Sequence, residues 1–156
     1  MLQAEVNGYV CRSTDDYELL HDYLVDKVTY DESKDLEAAN KRRLKSYVKN
    51  CKNLICYAPN GEIVGVCLYI HLVSVIELVH MYVEPKYRVT YGSGLLNHYM
   101  INIVGDNCAI QLKSKDTTTF EKVVTATPKL GVYRINDRAR DGLERMLRDR
   151  INWKEV

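Results

Sequence analysis

Two stretches in the first third of the chain carry apolar residues at helical spacing. In residues 13–28 they recur every three or four positions, at Tyr17, Leu20, Leu24 and Val28. This stretch begins with three candidate N-caps, Ser13, Thr14 and Asp15. In residues 31–50 the inner side is formed by Leu36, Ala39, Leu44, Tyr47 and Val48. The pattern therefore predicts two amphipathic helices, the second of which ends near Asn50.

The regions on either side of these helices have strand patterns. "AEVNGYVCRST" alternates loosely and predicts one first strand. "NLICYAPNGEIVGVCLYIHL" contains two β-rich runs around Pro59-Asn60-Gly61, and Asn-Gly between two such runs predicts a hairpin. "SVIELVHMYV" predicts a long third strand that ends before Glu84-Pro85.

The second half of the chain alternates helices and strands. We predict three helices, at about 93–103, beginning at 116, and at 137–153. We predict two strands, at "CAIQLKS" and "GVYRIN". A strand, a helix and another strand in succession favour a parallel pair, because the crossover needs a helix on one face of the sheet. Antiparallel pairing early and parallel pairing late predict a mixed sheet of the α/β (α+β) class.

Composition narrows the class of protein. A length of 156 residues, 46% apolar and 28% charged, favours one domain with its own core, and a net charge of +1 gives no general attraction to nucleic acid. The sequence has no run of about 18 apolar residues, so we expect no membrane span, and the N-terminus does not resemble a signal peptide. Five cysteines without a close pair predict free thiols, no metal site and a cytoplasmic location.

The loop after the third strand has the features of an anion site. Gly92 and Gly94 permit close approach of a ligand to the backbone, Ser93 adds a hydroxyl donor, and Arg88 adds a cation. The first N–H groups of the following helix have no partner within that helix, so they favour a phosphate. The alternative is that Gly92 only permits a tight turn and Arg88 is solvated.

Two segments, "YVEPKYR" at 82–88 and "GSGLL" at 92–96, resemble the acetyl-CoA-binding region of the GNAT-type N-acetyltransferase superfamily, and the order of elements from Ala4 to about Ile135 fits it. The resemblance implies a GNAT-like mixed central sheet, with antiparallel N-terminal strands, a parallel splayed pair and helices on both faces. We expect one GNAT-like domain, 1–156, with a charged helical segment at about 137–156, where the family usually ends in a pair of strands. The resemblance also implies acetyl-CoA as co-substrate, no metal, and binding residues Met81, Val83, Arg88, Val89, Tyr91, Gly92, Ser93 and Gly94.

The sequence departs from the family pattern at two places. The loop between Arg88 and Gly92 is one residue short, so that Thr90 or Tyr91 stands where the first loop glycine belongs. The position of the family's tyrosine acid holds Phe120, which cannot donate a proton. Tyr133 is a candidate acid if the chain brings it near, and the preferred alternative is a core aromatic residue with a solvated hydroxyl. Such divergence is typical of small phage-encoded members.

Two residues of the third strand are candidate general bases. The resemblance points to Glu77, a carboxylate between two aliphatic residues, whose pKa we expect to be raised if it is buried. The alternative is that Glu77 faces solvent or forms an ion pair. His80 is the second candidate base. Three residues apart on a regular strand, Glu77 and His80 are predicted to face opposite sides of the sheet.

Three functions follow, in order of preference. The first is an acyl-CoA-dependent N-acyltransferase that moves an acetyl group from acetyl-CoA to a primary amine of a protein or small molecule. The second is a catalytically degenerate GNAT-fold protein that acts as a binding or structural partner. For either of these two functions, the resemblance to the family suggests a homodimer. The third is nucleic-acid binding through a basic helix, whose cations are Lys41, Arg42, Arg43, Lys45, Lys49 and Lys52. A solvated helix face is the preferred interpretation of those cations, because the whole chain has no basic excess.

Overall fold

The fold is known from a computed structural model. It describes residues 2–27, 37–72, 75–88, 109–112, 124–126, 132–135, 137–138, 141–142, 145 and 152–155, and every structural statement below concerns these residues.

The chain begins with a hairpin and not with the single strand that the alternation predicted. Strand β1, Leu2–Val6, and strand β2, Tyr9–Arg12, pair antiparallel and are joined by Asn7 and Gly8. Both turn residues have positive φ, 48° and 82°. Asn-Gly adopts that conformation readily, and its twist matches that of the paired strands.

Two helices follow where the sequence predicts them. Helix α1, Tyr17–Leu24, is capped by Asp16, which accepts a hydrogen bond from the Leu19 N–H at 3.1 Å, so none of the three predicted caps is the N-cap. Helix α2 is described over Glu37–Asn50, and its predicted start at 31 lies outside the described residues. Four of their apolar residues are buried against the sheet, Leu20, Leu24, Leu44 and Val48. Neither helix is long and apolar enough to cross a lipid bilayer.

One sheet contains all nine described strands. The predicted hairpin is formed by strands β3, Lys52–Tyr57, and β4, Ile63–His71, and the long strand β5 is Val75–Val83. The later strands are β6, Ala109–Leu112, β7, Val124–Ala126, β8, Val132–Ile135, and β9, Asn152–Glu155. Their order is β7-β8-β6-β5-β4-β3-β2-β1-β9.

The mixed sheet is confirmed. Strands β5 and β6 run parallel over four positions, from Val75 opposite Ala109 to Leu78 opposite Leu112, whereas the other described pairs are antiparallel. The splay that the resemblance implies would follow Leu112 and lies outside the described residues.

The C-terminal prediction is correct only in part. Residues 137–138, 141–142 and 145 are helical, but Asn152–Glu155 form β9, which pairs antiparallel with β1. A helix from 116 was also predicted. Residues 116–123 lie outside the described residues, and strand β7 begins at Val124. The error at the C-terminus has a physical cause, because pairing with β1, which is distant in sequence, overrides a local helical spacing.

The described cysteines form no disulfide with one another. Cys11, Cys51, Cys56 and Cys67 are all buried, and burial raises the pKa of the Cys56 thiol to about 12. Cys108 lies outside the described residues.

Candidate functional site

A β-bulge interrupts the middle of β5. Leu68 on β4 pairs with His80, but the next residue, Tyr69, pairs with Leu78, so Val79 is the extra residue. A bulge of this kind shifts the alternation of side chains by one position. The face on which each residue of β5 lies therefore depends on its side of Val79.

The bulge brings both candidate bases to one face of the sheet. Glu77 lies opposite Ile70, and His80 lies opposite Leu68. Ile70 and Leu68 are two residues apart and both pack with the core under α1 and α2. Because paired residues share a face, Glu77 and His80 lie on the helix-covered face. The prediction that they face opposite sides is wrong, since it assumed a regular strand.

Their surroundings nevertheless differ. His80 is completely buried, and its ring meets the ring of Tyr47 on α2 edge-on, with 6.2 Å between the centroids. Glu77 is only partly buried. A general base has to approach the proton that it removes to about 3 Å. Glu77 therefore has the more accessible position for contact with a substrate.

After the bulge, the backbone of β5 presents polar groups on the side away from β4. The Glu84 N–H donates to the Val64 carbonyl of β4 at 2.8 Å. Successive residues of a strand direct their N–H and C=O groups to opposite neighbours, so those of Val83 and Met81 point toward the β6 side. Both residues are buried as a whole, at 1% and 0% exposure.

The segment after β5 is fastened to the β3–β4 turn. Pro85–Tyr87 form one 3-10 turn, and the Tyr87 hydroxyl donates to Glu62 at 2.7 Å. Lys86 forms an ion pair with the same carboxylate. Hydrogen bonds from Lys86 and Tyr87 lower the pKa of Glu62. These contacts connect Pro85–Tyr87 to the β3–β4 turn.

Arg88 bonds the strand that precedes it. Its Nε–H donates to the Val83 carbonyl at 3.1 Å, while the residue as a whole is exposed. The guanidinium thus lies at the end of β5, beside the backbone groups that point toward β6.

The remaining predicted residues lie outside the described part of the chain. These are Val89, Thr90, Tyr91, Gly92, Ser93, Gly94 and Phe120. Tyr133 lies on β8 opposite Ile110, but its side chain is also outside the description.

A polar cluster that the sequence did not reveal joins α1 to the end of β5. The Tyr23 hydroxyl donates to Glu84 Oε1 at 2.6 Å, and Lys27 Nζ lies 3.9 Å from the same oxygen. Burial, and then the hydrogen bond to Glu84, raise the pKa of Tyr23. Tyr23 and Glu84 are 61 residues apart, so no local pattern connects them.

A cleft of about 430 Å³ lies between α1 and α2. Glu18, His21 and Asp22 line it from α1, and Lys45 and Lys49 line it from α2. Two cations of the basic helix therefore share a cleft with two carboxylates, which reduces the positive potential on this side. Among the described residues, no three metal-ligating side chains come together.

Known structures place this geometry in a fold class. The chain is similar to apo YjaB from Escherichia coli, with a TM-score of 0.54 and 11% identity over 82% of this chain and 98% of that one. It is similar to a possible acetyltransferase from Clostridium difficile 630, with a TM-score of 0.55 and 17% identity over 85% and 98%. It is also similar to an IAA acetyltransferase from Bacillus cereus ATCC 14579, with a TM-score of 0.51 and 13% identity over 81% and 93%.

The chain therefore has a GNAT-type acetyltransferase fold, as the sequence resemblance implied. At such low identities the likeness defines the fold alone. No family model matches the sequence, and no curated protein matches it.

Proposed function

We propose that the chain transfers an acetyl group from acetyl-CoA to a primary amine. The observation that carries the proposal is the bulge at Val79. It leaves Glu77 on the face under α1 and α2, while the backbone of Met81 and Val83 is directed toward β6. A thioester held along that backbone and an amine near Glu77 would meet at the same stretch of β5.

In the proposed reaction, Glu77 accepts a proton from the ammonium form of the acceptor. The neutral nitrogen attacks the thioester carbonyl, and a C–N bond forms. The C–S bond then breaks, and the departing CoA thiolate takes up the proton that the nitrogen releases as the amide forms. Glu77 is preferred to His80 as the base because His80 is completely buried.

Arg88 has a proposed role in binding the co-substrate. Its Nε–H now bonds the Val83 carbonyl, which an amide N–H of pantetheine would also use. On binding, the pantetheine N–H replaces Arg88, and the exposed guanidinium becomes available to the pyrophosphate. Charge-assisted bonds of this kind are stronger than neutral ones.

Acetyl-CoA binding is the first test. At a hundredfold excess over its Kd, acetyl-CoA stabilises a protein by about 2.7 kcal/mol, which raises the Tm of a chain of this size by roughly 5 to 10 °C. Arg88→Gln should reduce that rise, whereas Arg42→Gln, the same change on the exposed side of α2, should not. No rise in Tm with millimolar acetyl-CoA would contradict the proposal.

Turnover is followed with a panel of amines by the release of the CoA thiol. Glu77→Gln should lower kcat on the order of a hundredfold and leave the acetyl-CoA-induced Tm rise intact, because the base acts in the chemical step. Asp15→Asn, an exposed carboxylate-to-amide change, is the matched control. Unchanged turnover in Glu77→Gln would refute its role as base.

A further inference from the structure

The side chain of Lys27 lies among two aromatic rings and a carboxylate. Its Nζ is 4.1 Å from the ring centroid of Tyr23 and 5.9 Å from that of Tyr82. The nearest oxygen of Glu84 is 3.9 Å away. Faces of aromatic rings attract cations, and a carboxylate adds a full negative charge. We call Tyr23, Tyr82 and Glu84 the ammonium cage.

The cage is held together without Lys27. Tyr23 bonds Glu84 directly, at 2.6 Å, and its ring meets that of Tyr82 edge-on, with 6.4 Å between the centroids. Tyr82 is part of β5, and the Glu84 backbone is bonded to Val64 of β4. Helix α1 and the sheet thus fix all three side chains before any cation is added.

Lys27, in contrast, lies beyond the end of α1. Its N–H donates to the Leu24 carbonyl at 2.9 Å, so the last turn of the helix positions its backbone. Its long side chain enters the cage from that point. The side chains of Lys27 and Glu84 keep 25% and 26% of their surface exposed, so the cage is open to solvent on one side.

We propose that this cage is a binding site for the alkylammonium group of a ligand, and that Lys27 occupies it in the absence of that ligand. The cage stabilises a nitrogen that stays protonated, whereas an acetyl acceptor has to be neutral when it attacks. The bound ammonium is therefore a recognition group and not the reacting nitrogen. The proposal does not depend on acetyl transfer, and it remains testable if the chain has no such activity.

The test is chemical rescue of Lys27→Ala by n-butylammonium chloride. In this variant the cage is vacant, and at a tenfold excess over its Kd the salt should raise the Tm on the order of 4 °C. The wild type should respond much less, because its tethered Lys27 competes at a high effective concentration. Lys52→Ala, the same change at an exposed strand position, should behave like the wild type. Sodium chloride at equal ionic strength and neutral n-butanol should not rescue Lys27→Ala.

Two double variants test whether the rise in Tm with n-butylammonium depends on the residues of the ammonium cage. Lys27→Ala with Glu84→Gln keeps the shape and removes the charge, so we expect rescue to weaken. Lys27→Ala with Tyr82→Leu removes one ring, and rescue should be lost. If the Tyr82 variant does not fold, the Glu84 variant still decides, because it is nearly isosteric. Equal Tm rises in Lys27→Ala and Lys52→Ala, rescue by n-butanol, or full rescue despite Glu84→Gln would each overturn the proposal.

Discussion

At the scale of single residues, the part of the site that is best defined is a set of side chains around the end of β5. Glu84 accepts a hydrogen bond from Tyr23 and lies beside Lys27, while Arg88 bonds the Val83 carbonyl. Each of these contacts joins residues from different elements or closes a turn. The identity of the side chain therefore matters at these positions for geometry as well as for charge.

Tyr23→Phe tests the contact between α1 and β5. Hydrogen bonds to charged groups contribute about 1.5 to 3 kcal/mol, so the loss of the hydroxyl should lower the free energy of unfolding by about that amount at pH 8. Tyr17→Phe, which changes a residue that is 43% exposed, should have little effect. The measurement is urea denaturation of both variants and the wild type.

The pH dependence of the same variant has a defined sign. The pKa of Tyr23 is raised in the folded state, so its phenol holds its proton more tightly there than in the unfolded chain. The stabilisation that the Tyr23 hydroxyl provides is complete below about pH 10, which is the pKa of a tyrosine in the unfolded chain. It decreases as the pH rises above that value. The advantage of wild type over Tyr23→Phe should therefore shrink between pH 8 and pH 11. A constant difference across this range would contradict the raised pKa.

At the scale of elements, β4 and β5 determine the site. The bulge at Val79 sets which side chains of β5 face α1 and α2, and it lies between the two candidate bases, Glu77 and His80. Farther along the same pair, Gly65 lies opposite Val83, where the two backbones come close together. Side-chain direction and strand spacing at the site thus both depend on this one pair of strands.

The sequence predicted those elements whose signals are local. Asn60-Gly61 between two β-rich runs predicted β3 and β4, and the spacing of Leu20 and Leu24 predicted α1. The hairpin at Asn7 and Gly8 has the same local signal, but its strands are short and the loose alternation around it concealed the turn. The bulge at Val79 has no local signal, because it exists only in the register with β4.

Gly65→Ala tests the close approach of the two strands. A Cβ at this position would lie 2.5 Å from the Tyr82 carbonyl oxygen and 3.1 Å from Val83 Cα, and these backbone atoms cannot rotate away. Such overpacking typically costs about 1 to 3 kcal/mol. The strands would separate near Val83, so acetyl-CoA binding should weaken as well.

The control for Gly65→Ala is Gly142→Ala, because a Cβ at Gly142 meets nothing within 4 Å. We expect that variant to be neutral or stabilised by up to about 1 kcal/mol, since alanine favours a helix and restricts the unfolded chain. Both variants are compared by chemical denaturation. Equal stabilities for the two would show that the strands at Gly65 have room for a methyl group.

At the scale of the whole molecule, the two ends of the chain are neighbours in one sheet. Strand β9 pairs with β1 over four positions and covers its outer edge, while β5 lies near the middle of the sheet. An uncovered β1 would present unpaired backbone groups on which another chain could pair. Strand β9 therefore satisfies the backbone groups of β1 and itself forms the outer edge of the described sheet.

Lys154 is the position where the pairing of β9 can be tested through the backbone alone. Val6 and Tyr9 flank the two-residue turn, and their backbone N–H and C=O groups point toward each other. These groups alternate in direction along β1, so those of Gln3 point toward β9. Gln3 lies opposite Lys154, whose N–H is therefore a donor to β1.

Lys154→Pro removes this donor and should cost about 1 kcal/mol or more in the free energy of unfolding. Lys154→Ala removes the same side chain, keeps the N–H and should cost less. Chemical denaturation measures both, and size-exclusion chromatography at increasing concentration should show self-association only for the proline variant. Equal stability of the two variants would mean that the Lys154 N–H does not bond β1.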